Sequence, residues 1–515
     1  MLSETNIAVM LFVAFFVLSG CSSVIASTKG IPKDRLPPQV FVQNFDPIQT
    51  EIGKVYAKEL LKSPQESAAM NIKDGSYALL HRAGLARMAQ KSIDIQTYIY
   101  KNDIASRILM HEIWEAANRG VKVRILIDDN GLDSDFSDVI ALDNHPNISV
   151  KIFNPYKNRI RFFRFPEMVY DFGRINKRMH NKLFIVDNIA LIIGGRNLAD
   201  NYFDNNLNVN FSDTDVFFLG KIAQEAHDSF DAYWNFHRSI PVALLPSKSK
   251  IKKYLKKYPE YLKKIEGSPK DWEIYHRAIE GFISRYKNRQ NIVYWGHAKL
   301  IADLPEKIQE DNKSPITEAL SKIWKSTTDS IYISSAYFVP GEKGIKHLEN
   351  AVNKGIDISI LTNSLSSTDA LVVYSAWEKY RNELVKLGVN VYEYKRNEGK
   401  VKIRGKLSSG ASLHSKTIVF DDKITWVGSF NLDPRSESIN TEVIAVFDNS
   451  DFAKETKRLM QIEMQKSWHL ILRKNKVIWE GVEDGKVIDE KHSPDTSWFV
   501  RFVNFLAKIF PESQI

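Results

Sequence analysis

The chain has 515 residues, 43% of them hydrophobic and 26% charged, a balance that excludes a disordered or fibrous protein and fits an ordered chain of more than one domain. A formal net charge of +9 favours an anionic partner, phospholipid surface or nucleic acid. The one cysteine, Cys21, excludes an intramolecular disulfide and a thiolate metal site.

Residues 7–18, IAVMLFVAFFVL, are uncharged and apolar, and Leu18-Ser19-Gly20-Cys21 follows directly. Such a run is too short to favour a membrane span and reads as a secretion signal ending in small residues. The tetrapeptide resembles a bacterial lipobox, which would make Cys21 the lipidated first residue after cleavage. The opening MLSETN carries Glu4 and no Lys or Arg, so an uncleaved anchor is the alternative. Both readings put the N-terminus at the membrane of a bacterial cell envelope, with an exported form as a variant. From Cys21 to about Met70 the chain is polar with scattered prolines and reads as a tether, with ordered structure expected from about Tyr77.

SIDIQTYIY (92–100) has strand composition, ASRILMHEIWEAANRG (105–120) has helical spacing closed by glycine, and VKVRILIDD (121–129) is a second strand. NRIRFFRFPE (158–167) alternates arginine with aromatic residues and reads equally as a lipid-facing lip or a loop edge. MHNKLFIVD (179–187) follows, and then Gly194-Gly195-Arg196-Asn197. Residues 247–266 hold eight lysines and read as a solvated linker or, less favoured, an anionic-surface contact. The earlier order then returns as SIYISSAYF (330–338), GIKHLENAVNKG (344–355) and IDISILTNS (356–364), followed by LHSKTIVFD (413–421) and Gly428-Ser429-Phe430-Asn431. An α/β unit is therefore duplicated. Near the C-terminus, 495–510 gathers Trp498, Phe499, Phe502, Phe505, Leu506 and Ile509 on one helical face, which suits docking on the core and interfacial insertion equally. The expected divisions are a leader or anchor at 1–21, a tether at 22–76, one half at 77–246, a Lys-rich linker or insert at 247–315, the other half at 316–470 and a tail at 471–515.

Five positions recur in identical register: His180 with His414, Lys182 with Lys416, Asp187 with Asp421, Gly194 with Gly428, and Asn197 with Asn431. In a strand, His and Lys two residues apart share a face while the aspartate has the opposite parity, so Asp187 and Asp421 are expected to be structural. A lysine beside a histidine suits a phosphate: the ammonium binds an oxygen and the imidazole attacks or shuttles a proton. Asn197 and Asn431 can add amide donors to the same oxygens. The same lysine would repel a metal ion. Displacement at a phosphodiester through a covalent intermediate needs two such groups, a nucleophile and an acid for the leaving alkoxide, and two facing copies supply both.

On these residues the chain resembles the phospholipase D superfamily, whose mark is the paired His-x-Lys-x4-Asp motif. HRAGLARMAQKSIDIQTYIY, NRGVKVRILIDD, IGGRNLADNYF, LTNSLSSTDALVV and GSFNLDPRSESINTE are similar to the bacterial cardiolipin synthase C group. The resemblance implies an α/β fold of two homologous halves, each a mixed sheet flanked by helices, forming one pseudo-twofold catalytic unit with no metal or organic cofactor. It implies that His180 forms a phosphohistidine and that His414 protonates the departing alcohol. Lys182, Lys416, Asn197, Asn431 and the Ser429 hydroxyl would hold the phosphate, and Gly195 would leave the first half without that hydroxyl. It further implies a carboxylate behind each histidine: Glu442 for His414, and Asp215, or else Asp213, for His180.

The implied activity is transfer of a phosphatidyl group between membrane phospholipids, giving cardiolipin, or the same transfer to water, giving phosphatidic acid. A nuclease would suit the charge but not the membrane-directed terminus, so no nucleic-acid partner is expected. A catalytically inert membrane scaffold disagrees with two intact motifs.

Overall fold

The computed structural model describes residues 45–132, 137–157, 164–206, 209–245, 252–254, 256–257, 260–261, 263, 269–309, 314–396, 411–483 and 485–514. The apolar leader, Cys21, the basic stretch up to residue 163 and much of the Lys-rich stretch lie outside them. No helix among the described residues is long and apolar enough to cross a membrane.

Runs of Ile, Val and Phe bounded by turn residues form the strands, and the duplication is visible strand by strand. The first half contributes β1 (Ser67–Ile72), β2 (Ser92–Tyr100), β3 (Lys122–Leu132), β4 (Ile148–Phe153), β5 (Leu183–Val186), β6 (Ala190–Gly194), β7 (Asn210–Ser212), β8 (Asp215–Gly220) and β9 (Ser239–Pro241). The second contributes β10 (Tyr294–Ala302), β11 (Ser330–Ser335), β12 (Asp357–Asn363), β13 (Asn390–Tyr394), β14 (Ala411–Leu413), β15 (Lys416–Phe420), β16 (Ile424–Gly428), β17 (Val443–Asp448) and β18 (Trp468–Arg473), and then β19 (Lys476–Glu483) and β20 (Lys486–Glu490).

Strands β2, β3 and β4 are parallel, as are β11, β12 and β13, while β5, β6 and β8, like β15, β16 and β17, continue each half antiparallel. Strand β1 closes the first half against β8 and β10 closes the second against β17; β1 and β10 then pair antiparallel, joining both halves into one sheet of 18 strands among the described residues.

Three findings depart from the sequence reading. Order begins well before Tyr77, because Ile52, Tyr56 and Leu60 are buried and β1 lies mid-sheet. The expected linker at 247–315 contains β10, the counterpart of β1. Both strands escaped notice because SAAMNI and YWGHAKLIA lack a clean apolar alternation. The expected tail is also more than a tail, since β18, β19 and β20 extend the sheet edge by antiparallel pairing.

Helices Gly75–Met88 and Ile104–Asn118 cover the first half, and Gly341–Asn353 and Leu371–Leu387 cover the second. A further apolar cluster is shared: Phe153, Ile193 and Phe218 pack with Val427, Val443 and Phe447, the Phe218 and Phe447 rings lying edge to face at 5.6 Å. Burying apolar surface contributed by both halves makes them one structural unit.

Candidate active site

Each histidine stands where its chain leaves one half to touch the other. Just before His180, Met179 bridges to Thr441 in parallel, with the His180 N–H donating to the Thr441 carbonyl at 2.9 Å. Just before His414, β14 pairs in parallel with β7, and the His414 N–H donates to the Ser212 carbonyl at 2.7 Å. Parallel pairing sets the next residue of the partner segment beside each imidazole. Those next residues are acids: Glu442 after Thr441, and Asp213 after Ser212.

His180 Nδ1 lies 2.9 and 3.0 Å from the two Glu442 carboxylate oxygens, and His414 Nδ1 lies 2.8 Å from Asp213 Oδ2. With Nδ1–H donating, Nε2 keeps its lone pair on the opposite side of each ring. The expected pairing is thereby corrected. Glu442 serves His180 and not His414. Asp213, not Asp215, is the other acid, and it serves His414. Each histidine takes its carboxylate from the other half, an exchange that spacing within one half cannot show. Asp215 is buried in ion pairs with Arg82 at 2.9 Å and Arg196 at 3.4 Å, away from both rings.

The segment before each histidine is fastened by matching positions on β3 and β12. Asp128 accepts from the Met179 N–H at 2.9 Å and from Arg178 Nη2 at 2.6 Å. Asn363 accepts from the Leu413 N–H at 2.9 Å and donates to its carbonyl at 2.8 Å.

The motif lysines reach back over the same turns, Lys182 Nζ to the His180 carbonyl and Lys416 Nζ to the His414 carbonyl, each at 2.5 Å. Four basic groups thus share a buried space with two carboxylates directly behind the rings. Burial lowers Lys182 to about 7 against the attraction of Glu442, with Lys416 lowering it further. Burial likewise lowers Lys416, opposed by Asp213. His180 falls to about 4, chiefly by burial, with Glu442 opposing and Lys182 assisting. His414 falls well below its ordinary value through burial, Lys416, Lys182 and His180. Burial would raise Glu442, but His180 and Lys182 outweigh it and leave the carboxylate below its usual range. Asp213 is raised by burial against Lys416 and Arg196. Cations so depressed are short of a counter-anion, and an arriving phosphate supplies one.

The remaining sequence candidates divide. Asp187 accepts from the Gln90, Lys91 and Ser92 N–H groups at 3.0, 2.7 and 3.0 Å; Asp421 accepts from Thr328, Asp329 and Ser330 at 3.0, 2.8 and 3.0 Å. Both lie beyond the strand, in hairpin turns at φ near +50°, so turn geometry rather than strand parity turns them from the histidines. Ser429 does not face a phosphate: its hydroxyl donates to Glu442 Oε2, and the Ser436 hydroxyl donates to Oε1 at 2.9 Å. The glycine in its place, Gly195, leaves room for Asp213, whose Oδ2 would meet an added Cβ at 2.4 Å. Gly194 and Gly428 are squeezed against β8 and β17 in the same way, by the Thr214 and Val443 carbonyls. Asn197 accepts from the Ile99 N–H at 3.1 Å and donates to the Tyr202 hydroxyl at 2.9 Å, whereas Asn431 Oδ1 is buried with no hydrogen-bond partner among the described residues.

Residues that sequence reasoning missed complete the walls. Tyr98 stands edge-on to His180 at 5.2 Å, and Tyr202 and Phe211 lie 5.1 and 5.2 Å from His414. Arg196 holds the Asp213 carbonyl at 3.0 Å and the Ile72 carbonyl at 3.2 Å, tying the carboxylate segment to β1. The Arg in GGRN was the one available signal.

The chain matches the family described as "Cardiolipin synthase, PLD-like domain" over residues 84–234 and 320–463. It is 50% identical over 506 residues to an uncharacterized protein of Helicobacter pylori, covering 98% of this chain and 99% of that one. It is 35% identical over 457 residues to cardiolipin synthase C of Escherichia coli, covering 84% and 93%. In fold it is similar to the crystal structure of phosphatidylserine synthase from Haemophilus influenzae. The TM-score is 0.54 at 12% identity, over 78% of this chain and 87% of that one.

Proposed function

Because the chain belongs to the phospholipase D superfamily, near its cardiolipin synthases, and is an enzyme of the phosphatidyltransferase or phosphodiesterase type, we propose that it transfers a phosphatidyl group through a phosphohistidine to the headgroup alcohol of a second lipid, forming cardiolipin. The observation that carries this reading is the crossed pairing: two imidazoles, each backed by the other half's carboxylate, in one cluster with two lysines. The neutral Nε2 of His180, oriented by Glu442, attacks phosphorus. The P–O bond to the leaving alcohol breaks, and the alkoxide takes a proton from His414. The incoming hydroxyl then gives its proton to His414 while its oxygen attacks phosphorus, and the P–N bond breaks to restore His180. Binding the diester anion offsets Lys182 and Lys416 and raises the proton affinity of His414, so its neutral Nε2 takes up a proton from solvent on substrate binding and holds it as the acid, releasing it again when product leaves.

His180 is assigned as nucleophile by family resemblance, and the buried, anionic Glu442 behind it supports the assignment. Ser429 and Ser436 act as positioning residues for that carboxylate. The test is incubation of purified protein with labelled phosphatidylglycerol, with and without phosphatidylethanolamine. Cardiolipin is the expected product, and none should form with His180→Ala. Phosphatidic acid would instead make the acceptor water. Lipid left intact while DNA is degraded would overturn the proposal.

A further inference from the structure

The helix Trp498–Ala507 is amphipathic, yet it docks with its polar side inward. Asn504 is buried and donates to Glu378 at 2.8 Å, Lys508 pairs with the same carboxylate at 3.0 Å, and Val500 and Ala507 complete the buried stripe. The opposite face is left outward: Trp498 is 72% exposed, Phe505 64% and Ile509 83%, with Phe499, Phe502, Leu506 and Phe510 beside them.

A second segment is built the same way. In Arg164–Tyr170 the buried residue is Glu167, which accepts from Arg174 at 2.7 Å and from the Lys157 N–H at 2.8 Å. Phe165, Met168, Val169 and Phe172, at helical spacing, face outward, Phe165 at 68% and Val169 at 71%. In both places a polar side chain, Asn504 in one and Glu167 in the other, is held inside while large apolar side chains are given to the surroundings, the reverse of what core formation dictates.

The final residues tie the C-terminal helix to segments that carry the site. Glu512 accepts from the Tyr380 hydroxyl at 2.6 Å, and Gln514 accepts from Asn176 Nδ2 at 3.0 Å through its side chain and from Arg435 at 3.4 Å through its carbonyl. Asn176 lies four residues before His180, and Arg435 precedes the Ser436 that holds Glu442. Beside this tie opens an apolar groove of about 250 Å³. It is lined by Leu320, Trp324, Phe338, Val339 and Phe430, and Leu432, next to Asn431, brings it to the motif.

We infer that residues 164–175 and 498–510 form one apolar collar that seats the mouth of the active site on the surface of a phospholipid bilayer. The inference rests on the lipid reading of the site. The exposed aromatic side chains Trp498, Phe499, Phe502 and Phe505 suit the boundary between headgroups and acyl chains, where such helices lie in the interface without crossing it. A bilayer also accounts for both patches at once. On this collar, lipids would reach the histidines from the bilayer on which it sits, and the groove would give an acyl chain an apolar wall as the phosphodiester enters. The net charge of +9 favours an anionic leaflet.

The test is hydrogen exchange on the full chain, read peptide by peptide, with and without phosphatidylglycerol–phosphatidylethanolamine vesicles. Peptides covering both segments should slow on vesicle addition. No change in either segment, or slowing confined to residues 1–44, overturns the collar. Slowing without vesicles that grows with protein concentration would assign the face to a second copy and also overturn it. In parallel, Phe502→Glu/Phe505→Glu and Phe165→Glu/Val169→Glu alter only exposed side chains. Each should cut turnover of vesicle phosphatidylglycerol at least tenfold while leaving hydrolysis of soluble bis(p-nitrophenyl) phosphate within twofold. Unimpaired vesicle turnover in both variants contradicts the collar. Exchange protection in a wild-type protein inert on both substrates would sink the catalytic reading and leave the collar standing.

Discussion

Glu442 is the residue on which the site's polarity turns. It accepts from His180, Ser429 and Ser436, whereas at the corresponding glycine turn Gly195 stands in place of Ser429 beside Asp213, its counterpart, and supplies no hydroxyl. Glu442→Gln should therefore lower turnover roughly 10²- to 10⁴-fold by releasing the tautomer and orientation of His180, with little change in KM. Steady-state kinetics on labelled phosphatidylglycerol would show it, and a loss confined to KM would contradict it. Lys182, held near 7 by burial, adds a pH dependence. In the proposed mechanism it binds the substrate oxygens as the ammonium, and on that reading kcat/KM should decline as pH rises through about 7 and the ammonium is lost. Lys182→Arg keeps the charge and should move that limb to higher pH. A limb that stays in place would assign it to another group.

At the level of elements, the hairpin after each histidine carries its own lock. Asp187 is buried with three backbone donors, so Asp187→Ala leaves those donors unsatisfied and should cost on the order of 2 kcal/mol or more. Asp421 makes the same bonds while half-exposed, and Asp421→Ala should cost less because water can replace the carboxylate. Thermal unfolding measures both, and equal losses would contradict the burial argument.

The paired motifs and the flanking strand–helix–strand units were legible in the sequence, because each is a short-range pattern; a structural role for the aspartates was expected from strand parity, whereas the hairpin turn is what points them away. The carboxylate partners were not. Asp213 and Asp215 share a strand-like run, and only the bridge between β7 and β14 decides which of them meets a ring and from which half. Strands β1 and β10 were hidden for a related reason: each is fixed by the two antiparallel neighbours it pairs with, not by its own composition. The outward face of Trp498–Ala507 was also undecided in the sequence, since an apolar stripe looks the same whether it is buried or presented.

Over the whole molecule, one sheet runs through both halves, a shared apolar cluster binds them, and each half completes the other's histidine. The described body should accordingly unfold in a single calorimetric transition. Two well-separated transitions would mean that the halves are independent domains. The proposed mechanism requires both rings to face one phosphorus atom. A crystal structure of the protein soaked with vanadate tests that requirement most directly. The expected result is a single oxyanion within hydrogen-bond or bonding reach of Nε2 of both His180 and His414, flanked by the Lys182 and Lys416 ammonium groups. Two separate ions, or one ion reached by only one of the two histidines, would contradict it.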